Sequence, residues 1–387
     1  MTLENKICDY CSSEELILAY EPKTTERDLK VYICNECELI QSWPRLSGVY
    51  KRKVNVTGDA GWGRIRYGKR LNLDYSLKHI EDYIPVDKLN SILDIGANRL
   101  YFLKEIGRRY QNLKLYGIEN DLITLAEEEL NENITIFKSK YEEASIKNLT
   151  FDFIHSSHTA EHVVSPKHLF EKTYEWLSEG GYLYFEVPDT KIILDNDIIY
   201  EYFIDNHLFH FSEKSLLNYL NSANFKTLKV IRGFNYLAVI AMKTSEKDLK
   251  PLNVPESEPK VGLKEVQNYS VNRKENLENI SRSSEIINSI MKNQKVVFWG
   301  GARIFDVFYR YGKVNWNSSL GLIDKHLVDY VEDVNGVKLH KPELLKEVEV
   351  DVIVIFSDEY FDEIVKEAKA LIKKPVNFLK YNKIGMD

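Results

Sequence analysis

Hydrophobic positions along the chain switch between two periods in a regular order. From about residue 81 to 243, short apolar runs of the strand kind alternate with stretches whose apolar positions recur at helical spacing. SILDIG (91–96) precedes RLYFLKEIGRRY (99–110), KLYGIE (114–119) precedes LITLAEEEL (122–130), and ITIFK (134–138) follows. FDFIHSS (151–157) then leads into PKHLFEKTYEWL (166–177), and YLYFEVP (182–188) into EKSLLNYLNSANF (213–225). This alternation predicts a mostly parallel, doubly wound α/β sheet. TLKVIRG (227–233) and YLAVIAM (236–242), separated by a short turn, predict a closing antiparallel hairpin.

The pattern lapses over 244–274, which is polar and carries three prolines, and resumes with a predicted helix near 276–292. A second α/β pattern follows: KVVFWGGARIFDVFYRYG (295–312) as strand, Gly-Gly turn and helix, LGLIDK (320–325) as a strand, and VDVIVIFSDEYFDEIVKEAKAL (350–371) as strand and helix. The expected organisation is therefore a small module at 1–45, a connector at 46–80 with some helix, an α/β domain at 81–243, a linker and helix at 244–293, and a Rossmann-like α/β domain at 294–387.

Composition is that of a globular protein, with 44% hydrophobic and 29% charged residues over 387 positions. The net charge of -7 argues against a partner held by phosphate contacts, so no nucleic-acid partner is expected. Apolar runs are too short to span a bilayer and the N-terminus has no signal-peptide order, which leads to the expectation of a cytoplasmic protein with no membrane partner. All four cysteines fall within the first 37 residues, as CDYC (Cys8, Cys11) and CNEC (Cys34, Cys37), with 22 residues between the pairs. Two C-x-x-C knuckles at this spacing predict one tetrahedral four-thiolate zinc ion, structural because no coordination position is left open.

The strand end at Asp94 opens a turn in which a G-x-G-x-G loop would place three glycines, and the chain supplies Gly96, Asn98 and Leu100 instead. Asn tolerates positive φ better than other substitutes, and Leu100 is expected to enter the helix. Glu119 ends the next strand, 25 residues after Asp94, where a ribose-binding carboxylate is expected. The fourth strand ends in a polar run, HTAEHVVSP (158–166), and GGYLYFEVP (180–188) follows. These segments resemble the class I S-adenosylmethionine-dependent methyltransferases across 81–243. The resemblance implies a cofactor site at Asp94, Gly96, Ala97, Asn98, Glu119, Asn120, Lys138, Ser139 and His158, with adenine near Lys138, Ser139 and Tyr141. Because this cofactor has no pyrophosphate, the missing glycines are less damaging than in a dinucleotide site.

The order of zinc module, methyltransferase domain, linker and second Rossmann-like domain resembles the sugar C-methyltransferases of deoxysugar pathways over essentially the whole chain. That family carries an Asp-Glu-His segment with aromatics and a Phe-Ser; here it reads IDNHLFHFS, in which Asp205, His207, Phe211 and Ser212 match and Asn206 replaces the Glu. The resemblance implies C-methylation of a nucleotide-activated 4-keto sugar, with S-adenosyl-L-methionine as methyl donor, the C-terminal domain gripping the substrate, and His207, His162 or His210 as catalytic base. Glu161 serves either the local loop or the chemistry, and Asp324 either a ribose or a turn. O-methylation of a sugar hydroxyl and a catalytically inactive binding scaffold are the alternatives.

Overall fold

The computed structural model describes residues 6–23, 25, 28–45, 62–122, 125, 133–195, 198–199, 201–233, 236–245, 261–329, 331–358 and 360–384, with side chains of the first helix described from residue 73 onward. All of the helix expected at 122–130 except positions 122 and 125, and residues 246–260 of the polar segment, lie outside the described residues. The chain divides into two compact units, one made of 1–55, 70–193 and 201–267, the other of 56–69, 194–200 and 268–387.

In the first unit, β1 (Leu16–Tyr20), β2 (Lys30–Cys34) and β3 (Ile40–Trp43) form an antiparallel meander. Helix α1 (Trp62–Tyr83), which belongs to this unit from Arg70 onward, follows and is longer than the partial helix expected for the connector. The main sheet uses β4 (Ser91–Ile95), β5 (Lys114–Ile118), β6 (Ile134–Phe137), β7 (Phe151–Ser157), β8 (Leu177–Pro188), β10 (Phe225–Arg232) and β11 (Tyr236–Lys243), in the order β10-β11-β8-β7-β4-β5-β6. β4 through β8 pair in parallel, and β10 and β11 close the edge as the expected antiparallel hairpin. The intervening β9 (Phe209–His210) does not join this sheet but pairs antiparallel with β3, becoming the fourth strand of the cysteine module.

Burial explains the continuous apolar runs. Alternate residues of β4 and β7 face opposite ways, so Ile92 and Phe153 pack with Leu77, Ile80 and Leu103, while Leu93 and Ile154 join Leu169, Phe170, Leu216 and Leu220. Helix α2 (Tyr101–Arg109) is too short to persist alone. Its buried Phe102, Leu103 and Ile106 each contribute on the order of 1.5–3 kcal/mol on burial, enough to hold it to the sheet. Helix α3 (Pro166–Trp176) starts on Ser165, whose hydroxyl accepts from the His168 amide, with Pro166 opening the helix. Helix α4 (Glu213–Ser222) starts on a reciprocal Ser212–Ser215 capping box.

In the second unit, helix α5 (Leu263–Met291) is a longer element than the five turns expected near 276–292, and from Asn268 onward it belongs to this unit. Its Asn276 Nδ2 donates to the Asp195 and Ile198 carbonyls, and its Arg273 donates to the Ile199 carbonyl. β12 (Val296–Trp299), β13 (Leu322–Ile323), β14 (Asp333–Val334), β15 (Val337–His340), β16 (Val352–Ile355) and β17 (Asn377–Lys380) form a sheet in the order β14-β15-β13-β12-β16-β17, parallel except for β14. Leaving aside β14, this is the Rossmann-like order 3-2-1-4-5. Asp324 holds a turn. Its carboxylate accepts from the amides of Gly301, His326 and Leu327, which ties the Gly-Gly turn to the neighbouring strand end.

Candidate active site at the strand ends of the first unit

The loop after β4 adopts left-handed backbone at each position where a glycine was looked for: φ is 80° at Gly96, 46° at Asn98 and 60° at Leu100. Leu100 therefore does not enter α2 but precedes it as the N-cap residue. A leucine in this region costs on the order of 1–3 kcal/mol, which its complete burial offsets. Gly96 has a further constraint, since a Cβ there would lie 2.2 Å from Thr159 Oγ1. The polar run after β7 thus closes directly over the glycine, and Thr159 donates to the Ile95 carbonyl at 3.1 Å.

Glu119 is 7% exposed, and its carboxylate accepts from the amides of Asn98 and Asp121, each at 2.6 Å. It therefore sets the loop's shape, at the strand end where a ribose contact is expected from the sequence. The buried Ala97 donates its amide to Ile118. Asn120 and Lys138 are exposed and Ser139 is half-buried beside them. Tyr141 is buried, its hydroxyl donating to the Ser165 carbonyl, so its polar end is committed within the fold. Asp94 departs from its expected place at the cofactor: it is 3% exposed and shares a 2.7 Å hydrogen bond with His155 Nδ1. The His155 ring stacks on Phe102 at 3.8 Å and lies parallel to Tyr184 at 5.4 Å, so the pair braces α2 against the sheet. Direct pairing of the two residues across β4 and β7 is the signal that sequence reasoning passed over.

His158 sits between two buried carboxylates, with Nδ1 3.3 Å from Glu161 and Nε2 3.3 Å from Glu186. Burial alone would push this imidazole down, but hydrogen bonds to both carboxylates outweigh it and push its pKa up to about 10. Glu186 also accepts from Ser76, Ser157 and Tyr184, and its place in the apolar run YLYFEVP was a signal left unread.

Glu161 is 1% exposed, and its Oε1 lies 3.7 Å from His162 Nε2. The other ring nitrogen of His162, Nδ1, is 2.7 Å from the Asn206 carbonyl. A carbonyl only accepts, so Nδ1 carries a hydrogen, and Nε2 is the ring nitrogen that faces Glu161. Asn206 therefore serves through its backbone, and the loss of a Glu side chain there leaves the orientation of His162 intact. The His207 ring lies 4.9 Å from that of His162, and burial followed by the charge of His162 pushes its pKa down to about 4. His210 is not placed as a base: it is 2% exposed, bonded through Nε2 to Ser42 Oγ at 3.0 Å, and packed on Phe203 in the β3–β9 seam.

The four cysteine sulfurs are unpaired and lie within 4.8 Å of one another, with Cys8–Cys37 and Cys11–Cys34 each at 3.5 Å. Zn–S bonds of about 2.3 Å place tetrahedral ligands roughly 3.8 Å apart, so this donor set fits zinc. Asp9, between two of them, accepts from the Lys167 amide of α3 and from Tyr219 Oη of α4. A cavity of about 460 Å³ along residues 141–150 and α3 is lined by none of the histidines, nor by Gly96 or Glu119.

A family model described as a methyltransferase domain matches residues 69–230, the stretch that carries this whole strand-end site. Residues 69–230 of the chain therefore carry a methyltransferase domain. Among solved structures, an S-adenosylmethionine-dependent methyltransferase from Clostridium acetobutylicum is similar at 14% identity and a TM-score of 0.39, over 49% of this chain and 100% of the other. One from Mesorhizobium loti is similar at 18% identity and a TM-score of 0.35, over 41% and 92%. The plantazolicin methyltransferase BpumL, in complex with S-adenosylhomocysteine, is similar at 15% and 0.40, over 49% and 91%. Likeness this distant says nothing of the substrate. No curated protein matches the chain. The methyltransferase domain's own residues fit the cofactor: the Gly96 position admits no side chain, and a buried carboxylate ends the adjacent strand. No helix among the described residues is long and apolar enough to cross a membrane.

Proposed function

We propose that the enzyme C-methylates a nucleotide-activated 4-keto deoxysugar, with a structural zinc held by Cys8, Cys11, Cys34 and Cys37. The observation that carries the chemistry is the buried Glu161 carboxylate beside His162 Nε2, with His162 Nδ1 held by the Asn206 carbonyl. C-methylation next to a ketone needs a base, and a carboxylate facing the imidazole stabilises the imidazolium that forms. Glu161 provides that carboxylate in this chain, where Asn206 cannot. The proton leaves carbon for His162 Nε2, and the electron pair it leaves, delocalised onto the ketone oxygen, forms the new carbon–carbon bond. S-adenosyl-L-methionine, when bound, supplies the methyl group. The sugar is supported by the sequence resemblance alone, that is, by the domain order and the IDNHLFHFS segment.

The test is incubation with S-adenosyl-L-methionine and a panel of nucleotide sugars with and without a 4-keto group, followed by mass spectrometry. Methylation confined to 4-keto members is expected. Methylation of hydroxyl-only sugars, or of none, would overturn the reading.

A further inference from the structure

Glu161, His162 and His207 meet in one place from two segments that are far apart in sequence, and their ligand atoms all lie within 4.8 Å of one another. Three features make this more than a cluster of polar groups. The Glu161 side chain is 2% exposed, yet its Oε2 has no hydrogen-bond partner among the described residues, an unmet demand for a buried carboxylate oxygen. His162 donates Nδ1–H to the Asn206 carbonyl, the outer contact that in metal sites fixes the ring and leaves Nε2 facing the ion. The surrounding charge favours a cation in any protonation state of His158, because that single imidazole faces two buried carboxylates, Glu161 and Glu186.

The geometry points to a divalent transition-metal site formed by Glu161, His162 and His207, in addition to the four-cysteine cluster. Two imidazoles and one carboxylate select Zn²⁺, Co²⁺ or Ni²⁺ over Ca²⁺ or Mg²⁺, and three protein donors leave positions for water or a substrate oxygen. Bonds of about 2.0–2.2 Å put neighbouring donors roughly 3.4 Å apart, so side-chain adjustments on the order of 1 Å close the site. His162 and His207 are both half-buried, which gives the ion a way in. The consequence rests on His162 being the base: an ion on Nε2 takes the lone pair the proton needs, so ion and base action exclude each other, and free transition metal inhibits methyl transfer.

The test reads metal binding without activity. Co²⁺ is titrated into the full-length protein and followed by visible absorption, where thiolate ligation adds an intense near-ultraviolet charge-transfer band and histidine–carboxylate ligation does not. One Co²⁺ equivalent with d–d bands and no charge-transfer band is expected in the wild type, with affinity lowered about tenfold or more in both Glu161→Gln and His207→Ala. It should be unchanged in His79→Ala, on helix α1. Circular dichroism reports on folding, and His207→Ala, at a half-buried position, serves if the Glu161 variant does not fold. Absence of that equivalent in the wild type, or its persistence in His207→Ala, overturns the site and leaves the methyl-transfer reading untouched. Failure of every nucleotide sugar to be methylated would overturn that reading and leave the metal result standing.

Discussion

Both oxygens of Glu119 are already held by backbone amides, so the residue shapes the loop, and under the proposed function its remaining lone pairs would meet the ribose. Hydrogen bonds to a charged group contribute about 1.5–3 kcal/mol, and Glu119→Ala should weaken S-adenosyl-L-methionine binding by about tenfold or more in calorimetry. Unchanged affinity would move the ribose contact elsewhere. His158 gives a test through pH. Its pKa rises from 6.5 to about 10, so its stabilising contribution is complete below about pH 6.5 and is lost as pH rises through 10. Glu161 and Glu186 go from 4.5 to about 2: burial would raise both, but hydrogen bonds from His158 prevail, and their contribution is complete above about 4.5 and lost as pH falls through 2. The gap in unfolding free energy between wild type and His158→Gln should therefore be widest between about pH 4.5 and 6.5 and narrow on either side, as read by denaturant titrations. A gap that does not vary with pH would mean that His158 is not an ionic bridge.

At the scale of elements, the β9 strand explains why a cysteine module belongs to this enzyme. The segment that brings His207 to the site runs straight into β9, and β9 is held by β3, a strand of the hairpin whose β2 ends on Cys34 and whose turn carries Cys37. Ser42 donates its amide to Leu208, and Leu208 in turn donates to the Glu161 carbonyl, so the module, the His207 segment and the HTAEHVVSP run are stitched in series. Loss of zinc should then cost catalysis more than cofactor binding. Cys34→Ser is expected to release the metal and lower turnover by an order of magnitude or more, while S-adenosyl-L-methionine affinity stays within about twofold, because folding of such modules is tied to the metal. Equal loss of both would make the module a general support. Gly96→Ala is the counterpart on the cofactor side: positive φ and the 2.2 Å approach to Thr159 should abolish cofactor binding and lower thermal stability.

For the molecule as a whole, periodicity made both α/β sheets legible, because the central strands are buried on both faces and helices such as α2 and α3 carry an apolar stripe. What periodicity could not show was where short strands go: the two residues of β9 have no pattern, and their pairing depends on a module more than 160 residues earlier. The site was legible as segments but not as partnerships. HTAEHVVSP and IDNHLFHFS were readable as polar runs, yet whether Asn206 matters through its side chain or its carbonyl depends on how the two segments meet. Asp94 was read as a cofactor contact because strand ends usually are, and only the lateral pairing with His155 shows it committed to the core. The central claim is that a proton leaves carbon for His162 and a methyl group takes its place. It is tested most directly by transferring a ¹³C-labelled methyl group to a 4-keto nucleotide sugar and reading the product by NMR, with wild type and His162→Ala compared. The account predicts a carbon-bound methyl, coupled to the sugar's ring carbons, formed about 10²-fold or more slowly by the variant. A methyl signal at the low field of a methoxy group, or equal rates for the two proteins, would contradict it.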